Sequence, residues 1–133
     1  MTSKTCILIG SPVDCGKSRR GCLMGPDAYR VAGLGEALES LGHTVKDAGN
    51  LSPGAAAAPE ALPDHVHAPA ESIGWTKALA DAADAAMQEG LPIFLGGDHS
   101  LSLGSVLGVA RDAARRKRPQ FILWLDAHSD FHT

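Results

Sequence analysis

A chain of 133 residues with 44% hydrophobic residues is long enough for one folded domain and too apolar for wholesale disorder. A net charge of −3 gives no reason to expect nucleic acid, and the basic run Arg115-Arg116-Lys117-Arg118 reads as a helix C-terminus complementing its dipole. No apolar run approaches the ~18 residues of a membrane span, no signal-peptide core opens the chain, and the three clustered cysteines, Cys6, Cys15 and Cys22, point to a reducing, cytoplasmic setting rather than a disulfide framework.

Residues 5–9 form a short apolar run ending at Gly10, the pattern of a buried strand. A polar, glycine-rich loop follows to Gly25, where Pro26 opens a helix at a first-turn position. Val31, Leu34, Leu38 and Leu41 give that helix one apolar stripe, and Gly42 ends it. Residues 44–49 read as a second strand near a sheet edge, because Lys46 and Asp47 interrupt it. Residues 50–70 are rich in proline and alanine and read as a surface loop. Ser72 is a candidate cap for the next helix, with Leu79, Ala82, Ala83, Ala86 and Met87 on its apolar face. A third strand spans residues 92–96. A helix capped by Ser100 then carries Leu103, Val106, Leu107 and Ala110 to about Lys117, and Pro119 stops it. Residues 120–125 read as a fourth strand. Helices alternating with apolar strands predict an α/β fold, a three-layer α/β/α arrangement with a mainly parallel sheet.

The chemistry gathers at two strand ends. Phe121-Ile122-Leu123-Trp124-Leu125 runs into Asp126-Ala127-His128-Ser129-Asp130, and Pro92-Ile93-Phe94-Leu95 runs into Gly96-Gly97-Asp98-His99-Ser100. In extended backbone, alternate side chains share a face, so Asp126, His128 and Asp130 would point the same way. Ligand sites of open α/β sheets lie at this end of the strands. Carboxylate and imidazole donors together suit manganese and similar divalent ions, whereas structural zinc sites usually recruit thiolates. A carboxylate can bridge two ions, and two ions can lower the pKa of a shared water towards about 7, which is hydrolytic chemistry.

These two motifs resemble the first two manganese-binding signatures of the ureohydrolases, the arginase and agmatinase family. Gly10-Ser11-Pro12, Arg20-Gly21 and Gly25-Pro26-Asp27-Ala28-Tyr29-Arg30 resemble its N-terminal signature, and the early first strand is closer to arginases than to agmatinases. The resemblance implies two Mn2+ ions, a small guanidino substrate, and hydrolysis of L-arginine to ornithine and urea. It also implies a homo-oligomer, trimer or hexamer, for a full-length protein. His99 matches a ligand of one ion, Asp126 a bridging carboxylate, His128 a ligand of the second ion, and Asp130 a ligand of the first ion that also acts in catalysis, hydrogen-bonding the bridging hydroxide and stabilising the tetrahedral intermediate. Asp98 is read as a residue supporting His99. His132 stands where arginases usually carry an asparagine that helps hold the substrate.

The family's third signature, an Asp-x-Asp strand end, is not in these 133 residues. The resemblance therefore implies the N-terminal half of a single arginase-like domain, a truncated fold over residues 1–133. The family sheet begins second, first, third, and then places two later strands between the third and the fourth. A fourth strand at 120–125 would lack its neighbours, so the segment is expected to be unstable or to repack, with weak manganese binding. Another ureohydrolase activity, such as an agmatinase, is the alternative within the class. A non-catalytic binding module is the alternative outside it.

Other candidates read more simply. Asp14-Cys15-Gly16-Lys17-Ser18 lacks the earlier glycine of a phosphate-binding loop, since Ser11 holds that position. His65 and His67 sit in the proline-rich loop and read as solvated. Trp75 and Trp124 read as core or interface residues, and Arg19 and Arg20 as loop residues able to line the mouth of a site.

Overall fold

A computed structural model describes residues 2–16, 20–57, 60 and 67–127. Its sheet has three strands, β1 (Thr5–Ser11), β2 (Thr44–Asn50) and β3 (Leu91–Gly96), in the order β2-β1-β3. This is the second, first, third order that the family resemblance implies. β1 pairs in parallel with both neighbours, Cys6 opposite Val45 on one side and Leu91 on the other. A strand flanked on both sides and covered on both faces needs continuous apolar sequence, and Cys6, Ile7, Leu8 and Ile9 are all buried. β2 lies at an edge and is mostly exposed, as its Lys46 and Asp47 foretold.

The helix expected over residues 25–41 is two helices, α1 (Gly25–Val31) and α2 (Leu34–Ser40). Gly33 separates them with φ 83°, a left-handed backbone that no helix interior carries. The break turns the expected stripe apart. Leu34 and Leu38 are partly buried while Val31 and Leu41 are exposed, and α2 lies against β2. Right-handed crossovers between parallel strands in this order place α1 and α2 on one face of the sheet and the next helix on the other.

That helix, α3 (Pro69–Glu89), begins before Ser72, with Pro69 in its first turn. The loop over residues 50–70 is therefore shorter by Asn50, which ends β2, and by its last two positions, and its described residues between these carry no helix or strand. Leu79, Ala80, Ala83 and Ala86 are buried, and Ala86 joins Ile7 and Ile9 in a core flanked by Leu51, Ala82 and Phe94.

α4 (Leu101–Arg115) packs along α3, but not through its leucines. A Cβ on Gly108 would stand 2.3 Å from the Ala80 carbonyl oxygen, and one on Gly104 would stand 2.6 Å from Leu79 Cβ. The two backbones meet through this small face. Leu103 and Leu107, expected to point inward, are exposed.

The expected fourth strand does not form. Residues 120–125 carry no strand pairing, and Phe121, Leu123 and Leu125 are more than four-fifths exposed. The reason is physical. A strand is held by its ladder of backbone hydrogen bonds, and β3 is not the neighbour that the family sheet gives this segment. Gln120, Phe121 and Ile122 instead border a cleft with Pro92 and Phe94 of β3 and Val106 and Val109 of the last helix.

Candidate metal centre

The C-terminal ends of β1 and β3 meet one another. Ser11 pairs with Gly96 at the end of the ladder, and the Asp98 amide donates to the Val13 carbonyl at 2.9 Å. The loop after β1 is folded back by Asp14, whose carboxylate accepts from the amides of Gly21 and Cys22 at 3.3 and 3.4 Å. Arg20 then lines a cleft of about 240 Å³ with Asp14, Cys15, Leu23, Glu71 and the half-buried Trp75. Arg19 lies outside the described residues. Lys17 and Ser18 of the Gly-Lys-Ser motif also lie outside the described residues, and the next described element is a short 3-10 turn at Cys22–Met24.

Between β3 and α4, residues 97–100 make a tight turn. The Ser100 amide donates to Asp98 Oδ1 at 3.1 Å, and the Ser100 hydroxyl donates to the same oxygen. Ser100 does stand at the helix N-cap, but its side chain makes no capping bond. The expected capping hydroxyl is used on Asp98 instead. The second Asp98 oxygen, Oδ2, is buried and has no hydrogen-bond partner, as is Ser11 Oγ at the end of β1. An aspartate two residues before a serine is the signal for such a turn.

His99 sits at the head of that turn with its Nδ1 atom 3.6 Å from Asp126 Oδ2. The imidazole side chain is 64% exposed and the carboxylate 24%. The separation is too long for a hydrogen bond. It does match two donors of one ion, which at about 2.1 Å each from a shared centre lie roughly 3–4 Å apart. The donor types, a borderline nitrogen and a hard oxygen, also suit manganese. Two of the four residues singled out in the sequence are thus brought together across segments that share no strand pairing. His128, Asp130 and His132 lie outside the described residues, as does His65. Among the described residues, no three histidine, cysteine, aspartate or glutamate side chains gather closely enough to hold an ion. Beside His99 opens an apolar cleft of about 380 Å³, lined by Ser100, Ser102, Leu103, Val106, Ile122 and Trp124.

The strand end next door is held by a different cluster. Arg30 of α1 donates to both oxygens of Asp47, at 2.7 and 2.9 Å, and to Asn50 Oδ1 at 2.7 Å. The sequence reading did not single out this clamp, which ties α1 to the end of β2.

Residues 4–133 match the Arginase family. The chain belongs to that family. It is 51% identical over 129 residues to an arginase of Brucella melitensis, covering 96% of this chain and 42% of that protein. It is 47% identical over 135 residues to an arginase of Agrobacterium fabrum, covering 98% and 40%. Among solved structures, the arginase of Bacillus subtilis at 1.7 Å superposes with a TM-score of 0.68 at 35% identity, over 81% of this chain and 36% of that one. The native arginase of Bacillus caldovelox at pH 5.6 gives 0.68 at 39% identity, over 81% and 37%. The α/β fold is therefore that of the arginases, in part: the chain spans about two-fifths of the length of the curated relatives it matches. No described helix is long and apolar enough to cross a membrane.

Proposed function

We propose that this chain carries the first-half ligands of a binuclear manganese hydrolase acting on a guanidino compound, with L-arginine cleaved to ornithine and urea. The observation that supports this most directly is the approach of His99 to Asp126 at 3.6 Å, with donor types that suit the ion. His99, Asp126, His128 and Asp130 would hold the ions, with Asp126 shared between them. When bound, such a pair makes a water nucleophilic near neutral pH. Asp130 would accept a hydrogen bond from the attacking water. His132 would donate a hydrogen bond to the amino-acid end of the substrate, which would then be a small molecule rather than a macromolecule. A cytoplasmic setting and assembly into trimers or hexamers accompany the reading for the full-length protein.

Two measurements test it. Titration with Mn2+, followed by electron paramagnetic resonance, should show binding that falls sharply in His99→Ala and in Asp126→Asn; equal binding in all three would sink the ligand assignment. Urea release from arginine, agmatine and guanidinobutyrate by the protein carrying these residues should favour arginine, and release from agmatine alone would move the assignment to an agmatinase. A second reading, a non-catalytic chain that works through a partner, is favoured by the exposed apolar residues 121–125. Urea release by the isolated chain would exclude it.

A further inference from the structure

We propose that Asp98 is the positioning residue of His99, an inference that rests on reading His99 as a ligand. The imidazole is 64% exposed and its Nδ1 lies 3.6 Å from Asp126 Oδ2. Three ties fix the backbone that carries it. The Asp98 amide donates to the Val13 carbonyl at 2.9 Å, anchoring the turn to the loop after β1. The Ser100 amide donates to Asp98 Oδ1 at 3.1 Å, joined by the Ser100 hydroxyl. The Ser102 amide donates to the His99 carbonyl at 3.0 Å. Asp98 makes two of these ties, back to Val13 in the loop after β1 and forward to Ser100 at the N-cap of α4.

The other oxygen of Asp98 stays clear of the clip. Asp98 Oδ2 is buried with no hydrogen-bond partner, near Gly16: a Cβ built on that glycine would stand 3.5 Å from it. A carboxylate free to choose would turn both oxygens to donors or to water. Asp98 holds one oxygen in an unpaired place because the other is fixed on Ser100. The arrangement aims His99 Nδ1 towards Asp126 before any ion arrives, the preorganisation that ligands outside the metal's own shell supply.

The test compares Asp98→Ala with Asp98→Asn. Asparagine keeps an Oδ1 that accepts from the Ser100 amide and hydroxyl, so it should rescue; alanine removes the clip. Manganese affinity should fall roughly 10–100-fold in Asp98→Ala and stay close to the parent's in Asp98→Asn. A metal-free readout runs beside it. In the parent and in Asp98→Asn, introducing Asp126→Asn should shift the His99 ring-proton NMR resonance; in Asp98→Ala that response should at least halve. Parent-like affinity and response in Asp98→Ala overturn the proposal, as does an Asp98→Asn variant that fails as badly as alanine. If Asp98→Ala does not fold, Ser100→Ala replaces it, since it removes one of the two donors to Oδ1. An intermediate loss there supports the clip and parent behaviour overturns it. Unchanged manganese binding in His99→Ala would fail the ligand reading instead, and the NMR response would then decide Asp98 alone.

Discussion

Arg30 shows what one side chain does for the frame behind the site. Its guanidinium forks onto both oxygens of Asp47, reaches Asn50 Oδ1 at 2.7 Å, and touches Asp27 at 3.2 Å. Arg30 holds the Asp47 carboxyl below its ordinary range; partial burial opposes this, and the Gly49 amide assists. The Arg30 pKa is raised in turn, chiefly by the hydrogen bond to Asp47. The sign follows. An aspartate lowered in the folded state contributes stability that is complete above its unfolded value, near 3.9, and is lost as pH falls through the lower folded value. Asp47 is 41% exposed, so solvent screening reduces the effect. Arg30→Lys keeps the charge but loses the fork, and should lower stability by about 1 kcal/mol at pH 7 in urea unfolding. The gap from the parent should narrow once pH drops below about 4. A gap that stays constant to the acid limit of folding would assign the loss to packing of the arginine stem.

At the scale of the element, α3 and α4 form the tightest unit, and they do it with small residues and buried charge. Asp112 is buried between the helices and accepts from Gln88, Arg115 and Arg116, while Asp84 pairs with Arg115 and Asp81 with Arg111. Burial pushes the Asp112 carboxyl up, but the hydrogen bonds from Arg116 and Gln88 and the charges of Arg116 and Arg115 outweigh it, so its pKa is lowered. The basic run that read as a dipole complement is in large part this cross-helix network. Gly108→Ala tests the packing. Alanine favours an open helix by about 1 kcal/mol over glycine, yet here it should destabilise by about 1–3 kcal/mol, because its methyl group meets the Ala80 carbonyl and Ala83. Leu103→Gln, on the exposed face, should change stability by no more than about 0.5 kcal/mol. If the leucine change costs more than the glycine change, the packed face is misassigned. A sequence reading counts large apolar residues at helical spacing, so it chose Leu103 and Leu107. It has no measure of how near two backbones come, and Gly104 and Gly108 decide that. The strand at residues 5–9 was legible because a doubly flanked strand needs contiguous apolar sequence. Residues 121–125 are likewise a contiguous apolar run and form no strand, because composition sets propensity but not the partner. His99 and Asp126 were legible from two short motifs. The clip on Ser100 and the Arg30 clamp were not, since one replaces an expected helix cap and the other joins residues far apart in sequence.

At the scale of the whole molecule, a three-stranded sheet leaves apolar surface that no described residue covers. Phe121, Ile122, Leu123, Trp124 and Leu125 are 46–86% exposed, and Leu91 at the start of β3 is 45% exposed. Five consecutive apolar residues of high strand propensity without an intervening charge are a pairing hazard for any chain that displays them. The isolated chain should therefore bind a hydrophobic dye and scatter light increasingly with concentration. Leu123→Lys should suppress both, because a charge within the segment opposes stacking of like segments. It should leave the melting temperature close to the parent's, since Leu123 is 83% exposed and supports nothing in the core. Trp124 reports the same event: its emission should begin red-shifted and move to shorter wavelength as association proceeds, and Leu123→Lys should hold it red. Association that persists unchanged in Leu123→Lys would place the sticky surface elsewhere, on the exposed leucines of α4. A large drop in melting temperature would show that residues 121–125 pack into the fold in solution.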